Sequence, residues 1–221
     1  MNACVVIPAF NEAASISKVI NGVKALDIDV IVVDDGSLDE TSLIAEKSGA
    51  HIIHNPQRYG KGLSLRRGFD YAIKNSYDII ISMDGDGQHD SADIPRFLEM
   101  VKNKKACVAL GNRMDDPKDT PLIRIFTNKF MSFVISVICH QNIPDTQCGF
   151  RLFTRDAISG IDIKAHKFEV ESELLVKLSR NGFKIESVPI RSIYGQEKSK
   201  IRPIRDTFRF MRFLTKILIE K

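Results

Sequence analysis

The chain has 221 residues, 43% of them hydrophobic, and a net charge of +4. That is apolar material for one substantial core, which excludes a disordered chain, and the charge is too small to argue for a nucleic-acid partner. Its distribution says more than its sum. Residues 196–221 hold eight basic and three acidic side chains, leaving the rest of the chain about neutral. Cys4, Cys107, Cys139 and Cys148 show no CxxC spacing, which fits a reducing, cytosolic compartment better than a disulfide framework. Met1 leads directly into the apolar Cys4–Ile7 segment, so no secretory leader is expected. The longest apolar run, Phe130 to Cys139, is about half of the roughly 20 residues that a spanning helix needs.

In chain order, Val5, Val6 and Ile7 predict a short strand ending at Pro8, with Asn11 and Glu12 opening a helix whose inner face is Ala13, Ile16, Val19, Ile20, Val23 and Leu26. Val30 to Val33 predict a second strand that ends in Asp34, Asp35, Gly36 and Ser37. Asp39 is placed to cap the next helix and Gly49 to end it. His51 to His54 predict a third strand, followed by the loop Asn55 to Gly62. A helix with Leu65, Phe69, Ala72 and Ile73 inward then leads to Asp78.

The next stretch, DIIISMDGDGQHD from Asp78 to Asp90, has unbroken apolar residues like a parallel strand covered on both faces. At its tip Asp84 and Asp86 flank Gly85, and such a pair can converge on a hard divalent cation whose other positions go to water and phosphate oxygens. The alternative is a tight acidic turn before the helix that Ser91 starts. The βαβαβαβ order predicts an α/β fold with a mostly parallel sheet, in which ligands bind beyond the carboxyl ends of the strands. Those ends supply Asn11 and Glu12, Asp34 and Asp35, and Asp84 and Asp86. No GxGxxG follows the first strand and no GxxxxGK[ST] occurs, so Gly60, Lys61 and Gly62 read either as a fragment of a phosphate loop or as an ordinary loop.

A helix is expected over 93–103 and a strand over Ala106 to Leu110, ending in Gly111, Asn112 and Arg113. The turn-rich loop to Thr120 precedes a helix that is apolar on most of its circumference from Leu122 to Ile138, and so belongs either to the core or to a membrane surface. Residues 145–153 read as a loop into a strand. Glu169 to Asn181 reads as a helix whose leading Glu169, Glu171 and Glu173 suit its dipole. Lys184 to Ile190 alternates like an edge strand. The last helix, Pro203 to Ile219, is basic and amphipathic, suited to an anionic headgroup layer or to the surface of the domain. It has no stacking platform or helix-turn-helix partner for DNA. The domain division expected is 1–200 for the catalytic unit and 201–221 for this helix.

Taken in order, Pro8 with Asn11-Glu12, Val-Val-Asp34-Asp35-Gly36-Ser37 with Asp39, Asn55 with Arg58 and Gly60-Lys61-Gly62, and Asp84-Gly-Asp86-Gly-Gln88-His89 resemble the inverting family 2 glycosyltransferases of the GT-A fold. Asp145, Cys148-Gly149-Phe150-Arg151 and the Ser199-Lys200 loop are similar to the branch containing dolichol-phosphate mannosyltransferase and bacterial polyprenyl-phosphate glycosyltransferases. The resemblance implies that Pro8, Asn11, Glu12, Asp35, Gly36, Arg58, Lys61, Asp84 and Gln88 bind the nucleotide-sugar. It implies that Asp84, Asp86 and Gln88 surround Mg²⁺ or Mn²⁺, and that Arg113, Arg124, Arg151, Ser199 and Lys200 face an acceptor phosphate. Asp86, Arg113 and Lys200 would carry the reaction. The implied enzyme moves a hexose from a GDP- or UDP-sugar to polyprenyl phosphate at the cytoplasmic face of a membrane. With one amphipathic helix and no spanning segment, a separate membrane-anchor subunit joins the expected partners. Two rivals stand beside it: a soluble transferase with a hydroxyl acceptor, using Asp145 or Glu171 as base, and a non-catalytic subunit that binds nucleotide-sugar.

Overall fold

In the computed structural model the first strand, β1 (Ala3–Ala9), lies at the centre of a seven-stranded sheet. Its Cys4, Val5, Val6 and Ile7 are wholly buried because helices cover both faces. Residues 1–103, 106–115, 122–165, 169–191, 193 and 214–215 are described, Leu122 and Arg124 as backbone only. The elements that follow are α1 (Ile16–Lys24), β2 (Asp29–Asp34), α2 (Thr41–Lys47), β3 (His51–His54), α3 (Lys61–Lys74), β4 (Ile79–Ser82), a 3₁₀ turn (Ser91–Asp93), α4 (Ile94–Lys102) and β5 (Val108–Asn112). The chain continues through α5 (Leu122–Cys139), β6 (Arg151–Thr154), α6 (Arg155–Ile158), α7 (Glu169–Arg180) and β7 (Ile185–Pro189).

The strand order is β3-β2-β1-β4-β6-β5-β7. Every pairing is parallel except those of β6, which runs antiparallel between β4 and β5. The carboxyl ends of six strands and the amino end of β6 therefore meet at one rim. Beyond the ladders, Asp35 N–H donates to Ala9 O at 2.8 Å, Asn55 N–H to Asp34 O at 2.8 Å, and Met83 N–H to Val6 O at 3.1 Å, so the strand tips are tied to one another as they leave the sheet.

Three expectations shift. Asn11 and Glu12 do not open α1; Asn11 takes φ +54, a conformation Asn tolerates, and the helix begins at Ile16. Its Oδ1 accepts from Leu38 N–H while its own N–H donates to Ser37 Oγ, so the residue is spent on stitching the first two rim loops. The fifth strand starts at Val108, two residues later than expected. And α5 is neither all core nor all surface. Ser132, Ile135 and Cys139 are buried, whereas Ile123, Phe126, Phe130, Phe133 and Val137 form a stripe that is 47–73% exposed. No helix among the described residues is long and apolar enough to cross a membrane. Of the 201–221 segment only Leu214 and Thr215 are described, and Leu214 is buried with the core.

Candidate active site

The rim is organised by two carboxylates. Asp35, at the end of β2, is 4% exposed. Its Oδ1 accepts from Asn55 Nδ2 (2.8 Å) and Tyr59 N–H (2.9 Å) and its Oδ2 from Gly60 N–H (2.8 Å), so one side chain shapes the whole 55–60 loop. Gly36 makes the approach possible, since at φ +72 a Cβ there would lie 2.8 Å from the Gln57 carbonyl carbon. The loop presents Arg58, whose guanidinium lies 4.0 Å from the Phe10 ring centroid. Pro8 pairs with Val33 inside the sheet, and Glu12 is tied by its N–H to Thr41 Oγ1 at 2.8 Å.

Asp84, just past β4, is the second. Its Oδ1 lies 2.5 Å from Lys61 Nζ, and the same ammonium is 2.7 Å from Glu171 Oε1. Its Oδ2 is 3.5 Å from His89 Nε2. Gly149 closes over the carboxylate so tightly that a Cβ there would sit 2.5 Å from Oδ2. Burial raises the cost of charge on Asp84, but Lys61 and His89 outweigh it and hold the carboxyl well below its usual range. Burial likewise works against Lys61, and the charges of Asp84 and Glu171 outweigh it, raising its pKa. Asp86 goes the other way: burial, then the charge of Asp84, push its carboxyl upward against the pull of Gln88 N–H, which donates to Oδ1 at 3.0 Å.

This donor set suits a divalent cation. The oxygen ligands are hard, Asp86 has no close cation among the described residues such as Asp84 has, and the Lys61 ammonium already stands in for positive charge beside Asp84. No group of three or more metal-type side chains assembles among the described residues, so a cation at Asp84 and Asp86 would draw its remaining ligands from water and bound phosphate. Of Gln88 the backbone is what engages the loop: its O also accepts from Ile193 N–H at 3.0 Å, tying the segment after β7 to the acidic tip.

The arginines expected to face an acceptor divide. Arg113, at the end of β5, grips Asp145 through Nε (2.7 Å) and Nη2 (3.0 Å), and its N–H donates to the same carboxylate at 3.1 Å. Asp145 is completely buried. Arg151, expected to face a phosphate, is a structural residue instead. It is 2% exposed and its guanidinium donates to the carbonyls of Cys148 (2.8 Å), Glu171 (2.7 Å) and Thr146 (2.9 Å). It holds the loop that carries Gly149 against the start of α7. The Arg124 side chain, Ser199 and Lys200 lie outside the described residues.

Glu171 was expected only as a rival base and His89 only as part of the acidic motif; that both face the Lys61–Asp84 pair was not read from the sequence. The glutamates of α7 do more than suit a dipole: Glu171 and Glu173 are both 4% exposed, Glu171 pairs with Lys61, and Glu173 accepts from Lys164 and Ala165 N–H and from Lys177 Nζ. Three glutamates where a first turn needs fewer, and a lysine set between two glycines, are the signal that could have joined them.

Comparison with known proteins matches this geometry. The model of the glycosyl transferase family 2 domain matches residues 4–161. Over 214 residues the chain is 29% identical to a UDP-N-acetylglucosamine–dolichyl-phosphate N-acetylglucosaminyltransferase of Methanococcus voltae, covering 86% of this chain and 85% of that one. It is 27% identical over 202 residues to a polyprenol monophosphomannose synthase of Mycolicibacterium smegmatis, covering 84% and 75%. Among solved structures, glucosyl-3-phosphoglycerate synthase from Mycobacterium tuberculosis, in complex with Mn²⁺ and UDP-glucose, superposes with a TM-score of 0.77 at 22% identity over 99% of this chain and 78% of that one. Fold, rim and family model agree, and the chain belongs to glycosyl transferase family 2, as a glycosyltransferase of the GT-A fold.

Proposed function

We propose that this glycosyltransferase moves a hexose from a GDP- or UDP-sugar to the phosphate of a polyprenyl lipid, working at the cytoplasmic surface of a membrane. One observation carries the reading. The two carboxylates expected as base for a hydroxyl acceptor each face a cation: Asp145 is buried in a bidentate pair with Arg113, and Glu171 is paired through one oxygen with Lys61. A sugar hydroxyl needs a base to take its proton. A phosphate monoester has a second pKa near ~6, is largely dianionic at neutral pH and needs none.

In this reading Asp35 and the loop it shapes receive the nucleoside, and Asp84 with Asp86 hold Mg²⁺ or Mn²⁺ against the diphosphate. The cation would offset charge on the departing nucleotide. Arg113, backed by Asp145, keeps a fixed guanidinium at the acceptor side, and Arg124, Ser199 and Lys200 are assigned to the same phosphate by resemblance. Displacement at the anomeric carbon passes through an oxocarbenium-like state, with the phosphate oxygen attacking as the diphosphate leaves. The relatives named for dolichyl-phosphate and polyprenol substrates support the acceptor class. The exposed Ile123, Phe126, Phe130, Phe133 and Val137 stripe supports a lipid-facing side, more directly than the helix expected at 203–219, of which only Leu214 and Thr215 are described and Leu214 is buried. A separate anchor subunit is part of the same proposal.

The second reading is a small soluble acceptor, in keeping with the name of the glucosyl-3-phosphoglycerate synthase structure. The purified protein, incubated with Mn²⁺, radiolabelled GDP- and UDP-hexoses and short-chain polyprenyl phosphate, is expected to form a chloroform-soluble labelled product. The rate should rise with pH through the second phosphate ionisation near ~6 and then level off. Transfer to phosphoglyceric acid or free sugars with no lipid product would replace the proposal with the second reading.

A further inference from the structure

The ion pair that joins Lys61 to the rim crosses three elements. Lys61 opens α3, Asp84 follows β4, and Glu171 lies in the first turn of α7. Its ammonium is shared at 2.5 Å and 2.7 Å between one carboxylate that the proposed reading gives to the divalent cation and one that it does not. Both approaches to Asp84 are restricted. Oδ1 carries Lys61, while Oδ2 lies beside His89 and beneath Gly149. Glu171 is only half used. Its Oε2 is buried and has no hydrogen-bond partner among the described residues, so it has acceptor capacity to spare for the same ammonium.

We infer that Lys61 is a built-in counter-cation that competes with the divalent ion for Asp84, and that Glu171 is the seat onto which it retreats when the ion binds. The inference rests on the assignment of Asp84 and Asp86 to the metal. An ammonium and a divalent ion on one carboxylate repel each other across a few ångströms of poorly solvated space. The ion alone is therefore held weakly. A diphosphate adds negative charge on the far side of the ion and tips the balance, so metal and nucleotide bind together. Lys61 acts as a positioning residue that makes metal loading depend on donor loading.

The experiment is direct Mn²⁺ binding to the full chain, followed by electron paramagnetic resonance of the unbound ion, with and without inorganic pyrophosphate. For the unmodified protein, pyrophosphate should tighten Mn²⁺ binding at least tenfold. Lys61→Met should bind Mn²⁺ at least tenfold more tightly than the unmodified protein when pyrophosphate is absent, and the gain from adding pyrophosphate should shrink. Glu171→Gln, which leaves the ammonium to Asp84 alone, should weaken Mn²⁺ binding severalfold. Should Lys61→Met fail to fold around an uncompensated Glu171, the charge-balanced pair Lys61→Met/Glu171→Gln decides, with the same tightening expected. Unchanged or weaker binding in the folded Lys61 variants overturns the inference. Asp84→Asn separates the two levels: if it abolishes Mn²⁺ binding while the Lys61 variants match the unmodified protein, only the counter-cation role falls. If Mn²⁺ binds equally well without Asp84, the metal assignment falls too.

Discussion

Replacing Asp86 with alanine is expected to lower kcat/KM for hexose transfer by at least ~10³-fold, about 4 kcal/mol of transition-state stabilisation at 1.36 kcal/mol per decade. Of the two acidic tips, Asp84 already has Lys61 and His89 beside it, whereas burial and Asp84 disfavour charge on Asp86, whose side chain among the described residues accepts the Gln88 N–H alone. A divalent ion is the partner that reverses this cost, and its charge on the departing diphosphate is worth several kcal/mol. The same geometry predicts the stability of the variant. A carboxyl whose pKa is raised by folding binds more protons folded than unfolded between its two pKa values, so across that window, upward from the ordinary carboxylate range, it lowers stability as pH rises. Removing it removes that loss. Asp86→Ala without metal should melt at or above the temperature of the unmodified protein at pH 7. Turnover within tenfold of the unmodified enzyme would exclude Asp86 from the metal.

Arg151→Met is the opposite case, a change that strikes the fold. Three buried carbonyls, of Thr146, Cys148 and Glu171, converge on the guanidinium. Each acceptor left buried without a partner costs about 1–3 kcal/mol, and stripping one partner from a buried charged network costs about 3–5 kcal/mol. A loss of about 4 kcal/mol is expected, a fall in Tm of roughly 8–16 °C for a chain of this size. Lysine at 151 should not rescue, because one ammonium cannot reproduce the planar fork that meets three separate carbonyls. Had Arg151 held the acceptor phosphate, the substitution would leave Tm in place and raise KM for the lipid alone. Thermal melts read against acceptor kinetics distinguish the two.

The contrast between these residues shows what the sequence made legible. The first half of the fold could be read because Val5–Ile7, Val30–Val33 and Ile79–Ile81 are unbroken apolar runs that end in polar tips, and in a parallel sheet those tips must share an edge. Asp35, Asp84 and Asp86 followed from that rule. The antiparallel β6 did not. It is four residues long, and its place between β4 and β5 depends on pairings more than 40 residues apart along the chain for which no local pattern codes. Arg151 is part of that strand, and an arginine in a motif looks the same in sequence whether its guanidinium meets a ligand or three carbonyls. The pairing of Glu171 with Lys61 was hidden for a similar reason. Acidic residues at a helix start have a sufficient local explanation, and the lysine that makes this one special lies on another helix. The stripe on α5 was half legible: composition showed that its apolar surface exceeds what a core-facing helix needs, and the structure shows which side is left uncovered.

Whether the acidic tip of β4 holds the metal is read from the anomalous scattering of manganese in crystals grown with Mn²⁺ and a nucleoside diphosphate. One strong peak is expected, bounded by carboxylate oxygens of Asp84 and Asp86 and by the diphosphate, with the nucleoside lying along the 55–60 loop beside Asp35. A peak remote from the acidic tip of β4, or a diphosphate bound away from the ends of β1, β2 and β4, would contradict this placement.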